Sequence, residues 1–311
     1  MRADLPSSGH VTALIRASAG FSETSLIMDY VNGLTAYRKL DEVCGLLEKG
    51  EADGLIAILE EMTQYIFRAD HLITDCTADE VSTEQIIAET AALAGQLPQG
   101  RSEEEDLAQY GPAYSLSPVK VREGFTTAGQ VQYVCRAGSF GNRGFAYTGA
   151  LRVLRVILGY DYLWTNVRVK GGAYGCMSGF SRDGSAYFVS YRDPHLAQTI
   201  ATFEGAPDFV RSFDADERTM TKYIIGAVSA LDRPMTPSVY GKYSLSAYMT
   251  GLTEETALLE RKQLLDCTPE DIRALAGIIE AFLSEEALCV VGNAEKLQNE
   301  AARFDKLEKL Q

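Results

Sequence analysis

Arg168 and Tyr174 are the two side chains of this 311-residue sequence whose types and spacing could act on a bound ligand. They lie in the run NVRVKGGAYG at 166–175, with the phenol six residues after the guanidinium and glycines between. An arginine offers a permanent planar cation with a fork of donors. A tyrosine hydroxyl can donate to a carbonyl oxygen that is becoming an oxyanion. Gly171, Gly172 and Gly175 would allow close backbone approach to a ligand. The run has no nucleophile, no acid pair and no metal-ligand spacing, so it could hold a peptide or a developing oxyanion but could not start a reaction unaided. A plainer reading stands beside this one: Arg168 pairs with a surface carboxylate, Tyr174 packs in the core, and the glycines turn the chain.

Standard catalytic sets are missing. The histidines, His10, His71 and His195, are far apart, and neither H-x-x-E-H nor H-E-x-x-H occurs, so the sequence carries no self-contained zincin-type site. G-x-S-x-G is absent, and GGAYG at 171–175 lacks the Gly-Lys-Ser/Thr ending of a phosphate loop. His195, behind Asp193 and Pro194, reads as a capping or surface residue at a helix start, and His71 as structural. The acidic run at 103–106 reads as solvated linker.

Composition bounds the function classes. With 46% hydrophobic and 23% charged residues, this is an ordinary globular chain with room for a large core and two domains. A net charge of −14 opposes a nucleic-acid partner, because phosphate binding needs clustered Lys and Arg. No apolar window approaches the roughly 18 residues of a membrane span, so no membrane partner is expected. The opening MRADLPSSGH has no signal-peptide core, which makes a cytoplasmic location the default expectation. Six dispersed cysteines without CxxC spacing are expected as buried, reduced thiols.

Periodicity sets the frame that would position the two residues. Residues 9–18 read as a strand. Residues 22–49 read as one helix, with Leu26, Tyr30, Leu34, Tyr37, Leu40 and Val43 at spacings of three and four. A second helix is expected over 55–68, a short strand over 71–76, and a helix over 82–97 opened by a Ser82/Gln85 capping box. So little strand cannot make a full sheet, so 1–105 reads as the mostly helical rear part of a domain whose beginning is missing. Residues 106–117, with Gly111 and Pro112, read as a linker, and 118–311 as a complete domain. In that domain 119–127 and 129–137 are expected as paired strands, and 145–160 as an apolar helix leading to the Arg168 run. A hairpin is expected over 176–191 about Asp183-Gly184, and 286–291 as a buried strand. Helices are expected at 196–213 with a break at Pro207, then at 217–231, 237–249 and 254–265. Thr268 caps a further one, and a terminal helix spans 295–310. The sum is an α+β architecture, a layered antiparallel-rich sheet covered by helices.

VRVKGGAYG, followed after the hairpin by SYRDP at 190–194, resembles the C-terminal half of presequence proteases, members of the insulinase/pitrilysin zinc metallopeptidases. Residues 9–22 and the helix containing Gly33, Leu34 and Thr35 are similar to the third domain of those enzymes, and the likeness spans nearly the whole chain. It implies four homologous α+β domains in two bowl-shaped halves around a chamber in which unfolded peptides are degraded. The N-terminal half would hold zinc through an inverted H-x-x-E-H motif, whose glutamate activates the attacking water. The C-terminal half would supply an arginine and a tyrosine that bind the substrate backbone. By resemblance these are Arg168, which orients the peptide, and Tyr174, which stabilises the oxyanion, with Gly171, Gly172 and Ala173 shaping the approach. The zinc-bearing half is not in this sequence. The resemblance therefore implies a non-catalytic C-terminal portion of a zinc metalloendopeptidase, inactive alone and without a metal of its own. Its partners would be unfolded peptides and the zinc-bearing N-terminal half, in the same protein or as a separate chain. The alternative is a stand-alone peptide-binding or partner subunit of a two-chain peptidase.

Overall fold

The computed structural model describes residues 4–101, 104–106 and 116–310. They group into two compact units, one of 4–39, 116–232 and 258–310, the other of 40–101, 104–106 and 233–257. The expected linker at 106–117 falls largely on 107–115, outside the described residues.

The larger unit is built on a sheet of six strands: β1 Glu123–Thr127, β2 Tyr133–Ser139, β3 Gly175–Phe180, β4 Ser185–Tyr191, β5 Ala287–Asn293 and β6 Lys306–Lys309. Their order is β3-β4-β2-β5-β1-β6. The β3–β4, β4–β2 and β2–β5 neighbours are antiparallel, and β5–β1 and β1–β6 are parallel. The expected hairpin about Asp183-Gly184 forms, with Gly184 at φ 84°. The expected pairing of 119–127 with 129–137 does not, because β5 inserts between β1 and β2. The reason is burial. The apolar run ALCVV of β5 is covered on both faces, and such a strand belongs at the centre of a sheet.

Side chains alternate across the strands. Val134, Phe188, Leu288 and Val290 enter one apolar layer, and Cys135, Ala137, Val189, Cys289 and Val291 the other. Helices Ala150–Ile157, Ala197–Glu204 and Ala276–Leu283 cover the first layer with Leu154, Ile157, Phe203 and Phe282, all fully buried. The second layer is covered by Gly9–Ser18, which is a helix and not the expected strand. Its Val11-Thr12 pair mimics strand composition, but Gly9, Ala13 and Ala17 recur every four residues and are buried. That small-residue stripe brings the helix close to the sheet: a Cβ on Gly9 would lie 2.3 Å from the Tyr133 ring.

Other expectations are corrected by local interactions. The single helix over 22–49 is two, Glu23–Asn32 and Leu34–Glu48. They break at Gly33, where the buried Asp29 carboxylate accepts the Leu34 N–H at 3.1 Å and leaves no room for a side chain. Residues 71–76 form no strand; a 3₁₀ turn over Ala69–His71 runs into irregular chain. The helix expected from Ser82 starts at Glu80 and is capped by Asp79, whose carboxylate accepts the Ser82 N–H at 2.9 Å. The helix expected from 145 starts at Ala150. The break in 196–213 comes at Gly205, with Pro207 inside the first turn of the next helix. The terminal helix over 295–310 is replaced by a short helix, Ala294–Asn299, and strand β6. There Phe304 and Leu307 reach the core, and Asp305 takes the Arg122 backbone N–H at 2.9 Å and its guanidinium at 2.6 Å. Helices Glu217–Leu231, Pro237–Met249 and Glu254–Leu265 stand where periodicity puts them, as does the Thr268/Asp271 capping box.

In the smaller unit the helix Asp53–Ile66 has no fully buried residue, and the ordered polar centre is Arg68. Its guanidinium is shared between Asp70 and Asp106 at 2.6 Å each.

One ion cluster ties the leading helices of the larger unit to β1. Arg16 donates to both carboxylate oxygens of Glu123, at 2.7 and 2.9 Å, and to Asp29 at 2.8 Å. Burial disfavours the Arg16 cation, but the hydrogen bonds and charges of Glu123 and Asp29 outweigh it and raise the guanidinium pKa. Removing the arginine strands two buried carboxylates, so Arg16→Ala is expected to cost about 3–5 kcal/mol in urea unfolding. A loss under about 1 kcal/mol would contradict the cluster's structural role. Burial pushes the thiols of Cys135 and Cys289 far up and that of Cys267 up to about 12, whereas Cys44 is exposed. Alkylation of the folded protein near neutral pH, read by mass spectrometry, is expected to modify Cys44 and spare those three.

Candidate functional site

The helix Ala150–Ile157 continues into wider π-helical turns, Leu158–Tyr162 and Trp164–Lys170. Buried Leu158, Leu163 and Val167 fix one side of this segment in the core. Trp164 and Arg168, four residues apart, share the other side. The guanidinium carbon stands 4.0 Å from the indole centroid, a close cation–π contact. Arg168 Nε donates to the Tyr174 carbonyl at 3.0 Å. Among the described residues no carboxylate forms an ion pair with Arg168; its contacts are a ring face and a carbonyl. π-helical turns are uncommon and recur at functional sites.

The helix stops on its glycines. The Gly172 N–H donates to the Arg168 carbonyl at 2.9 Å and the Ala173 N–H to the Val167 carbonyl at 3.1 Å. Gly172 sits at φ 77°, in the left-handed region that ends many helices. At Gly171 the backbone passes so close that a Cβ would lie 2.5 Å from the Val167 carbonyl oxygen. Ala173 then turns into the core, and the Tyr174 N–H donates to the Tyr191 carbonyl at 3.0 Å. Successive side chains of extended backbone alternate, so an inward Ala173 throws Tyr174 outward. Its side chain is 70% exposed. The residues singled out in the sequence thus fall in one turn, with Arg168 and Tyr174 at its surface. Gly171 and Ala173 are buried beneath it, and only Gly172 of the three small residues is exposed.

Across from Tyr174 is the end of β4, where Tyr191 pairs with Gly175. The next residue, Arg192, places its guanidinium carbon 5.9 Å from the Tyr174 ring centroid and 5.5 Å from that of Tyr191. Asp193 anchors this corner. Burial pushes its carboxyl pKa up, against hydrogen bonds from the Thr199 hydroxyl at 2.7 Å and the His195 N–H at 2.9 Å. The His195 side chain is exposed. Sequence reasoning gave no role to Trp164 or Arg192. Trp164 had a signal, being the sole tryptophan and four residues before Arg168. Arg192 had none beyond its place in SYRDP, because its backbone angle is invisible in sequence.

Among the described residues no group of three or more His, Cys, Asp or Glu could hold a metal ion. No helix among them is long and apolar enough to cross a membrane. What the arrangement offers is a fixed cationic fork and a phenol at one sheet edge, able to bind and polarise a carbonyl.

Comparison with known proteins adds identity to this geometry. Protein HypA of Clostridium perfringens is 32% identical over 301 residues, covering 97% of this chain and 30% of its own length. Presequence protease 1, chloroplastic/mitochondrial, of Arabidopsis thaliana is 28% identical over 316 residues, covering 98% of this chain and 28% of its own. The chain thus spans about 30% of the length of these relatives. Among solved structures, the peptidase M16 inactive domain from Pseudomonas fluorescens aligns over 68% of this chain and 51% of its own, at 16% identity and a TM-score of 0.46. Pitrilysin aligns over 89% of this chain and 33% of its own, at 12% identity and a TM-score of 0.43. The family model described as the PreP C-terminal domain matches residues 122–295, more than half of the chain and all of the Arg168–Tyr174 turn, and the protein therefore belongs to that presequence-protease family.

Proposed function

We propose that this chain is the substrate-gripping, non-catalytic C-terminal part of a zinc metalloendopeptidase that degrades unfolded peptides in a closed chamber. The observation that carries this reading is the joint presentation of Arg168 and Tyr174. One is a guanidinium held by a ring face and a carbonyl in place of a carboxylate, the other a phenol 70% exposed, and both are anchored to the core through the same turn. Arg168 keeps donors free for the backbone carbonyls of an extended peptide. Tyr174 donates to the scissile carbonyl oxygen as it gains charge. Such a donor is fixed before the reaction and needs no reorganisation, so it favours the transition state over the ground state. Recognition of backbone in place of side chains suits unfolded peptides of varied sequence. In this reading the hydrolytic chemistry belongs to the zinc-bearing N-terminal half. The zinc-bearing half is either on the same polypeptide or, in the alternative reading, a separate chain.

The test is peptide hydrolysis by this chain together with its zinc-bearing half. Tyr174→Phe is expected to lower kcat by roughly 100- to 1,000-fold, the usual cost of an oxyanion donor, with zinc content unchanged. Arg168→Ala is expected to lower kcat/KM by roughly 10- to 100-fold, the range for losing a hydrogen bond to a charged group. Wild-type kcat in the zinc-loaded Tyr174→Phe enzyme would remove Tyr174 from the site.

A further inference from the structure

Arg192 has φ 49°. Among the described residues it shares a left-handed φ with one other non-glycine residue, Glu286 at 55°. Any L side chain resists this conformation because its Cβ crowds the following carbonyl, and glycine adopts it freely. A turn selected for shape alone would hold glycine, as Gly172 does at φ 77° on the facing strand end. An arginine kept at such a position points to work done by its side chain.

That side chain lies over phenols. Its guanidinium carbon is 5.9 Å from the Tyr174 ring centroid and 5.5 Å from that of Tyr191. The groups acting on its charge are the tyrosines 133, 191 and 174. Its backbone also belongs to the Tyr174 anchor, since the Tyr174 N–H that donates to the Tyr191 carbonyl at 3.0 Å lies 3.4 Å from the Arg192 carbonyl. Tyr174 itself is 70% exposed, so little else restrains its ring.

We propose that Arg192 is a positioning residue for Tyr174. Its guanidinium lies against the face of the ring, fixes the direction of the hydroxyl, and places a positive field beside a phenol that must donate to a developing oxyanion. This rests on the oxyanion role proposed for Tyr174. It explains why a strained position carries a long cation, and it makes Arg192 act through Tyr174 without touching substrate.

The experiment compares Arg192→Gly, Arg192→Lys, Tyr174→Phe and the double variant Arg192→Gly/Tyr174→Phe in peptide hydrolysis by the chain together with its zinc-bearing half. Glycine removes the cation while relieving the backbone, so the thermal midpoint of Arg192→Gly is expected to match or exceed that of wild type. Its kcat is expected to fall roughly two- to fivefold, the worth of an exposed cation–π contact, with KM little changed. Arg192→Lys is expected to recover part of that loss. In the double variant the glycine is expected to add nothing to the loss from Tyr174→Phe. Wild-type kcat in Arg192→Gly, beside a large loss in Tyr174→Phe, would overturn the Arg192 role and leave that of Tyr174 intact. A loss in Arg192→Gly that multiplies fully with that of Tyr174→Phe would show Arg192 acting independently and equally overturn it. A silent Tyr174→Phe would end both assignments.

Discussion

The site depends on one constraint: the chain must leave a helix pinned in the core and start an edge strand within a few residues. Val167 is buried at one end of this passage and Ala173 at the other, and Gly172 reverses the backbone between them at φ 77°. With both ends fixed, the positions of Arg168 and Tyr174 are not free variables. The arginine leaves the last helical turn on its exposed side, and the tyrosine leaves the first extended residue on the side opposite Ala173. A side chain on Gly171 would strike the Val167 carbonyl, so the turn cannot loosen without moving the helix end. Packing in the core thus sets the geometry of two groups at the surface, the arrangement a preorganised binding site requires.

The same logic of layers holds the turn in place. β4 pairs with β3 on one side and β2 on the other, and β2 is buried along its whole length because helices cover both faces of the sheet. One cover includes the segment Ala150–Ile157 that leads to Arg168; the other is the helix Gly9–Ser18, tied by Arg16 to Glu123 at the start of β1. An apolar sheet covered on one face only would leave Cys135, Val189 and Val291 in water. The leading helix is therefore a structural part of the unit that carries the site.

What could be read from the sequence divides along the same line. Elements specified by neighbouring residues were legible: the Asp183-Gly184 hairpin, the Thr268/Asp271 capping box, and helices such as Glu217–Leu231. Elements specified by distant partners were not. Gly9–Ser18 is helical because a stripe of small residues meets the Tyr133 ring, and β6 is a strand because β1 offers it an edge and Arg122 holds Asp305. Neither partner is within a hundred residues of the element it decides. Within the site, the residue types and the six-residue spacing of Arg168 and Tyr174 stood in the sequence. The ring under Arg168 left a four-residue spacing within one helical segment, whereas the cation beside Tyr174 left none, since a contact across strands has no spacing to find.

Charge and strain explain the rest of the arrangement. The chain is strongly acidic at −14, yet the two guanidiniums beside the turn, those of Arg168 and Arg192, have rings as neighbours. A carboxylate partner would fix either guanidinium as well, but it would also neutralise its field and occupy its donors. An aromatic face fixes the plane and leaves the donors open. The two left-handed residues near Tyr174 differ in steric cost. Gly172 carries the conformation at no steric cost, because shape is all that is asked there. Arg192 carries it against steric resistance, with its guanidinium 5.9 Å from the ring of the phenol that the turn presents.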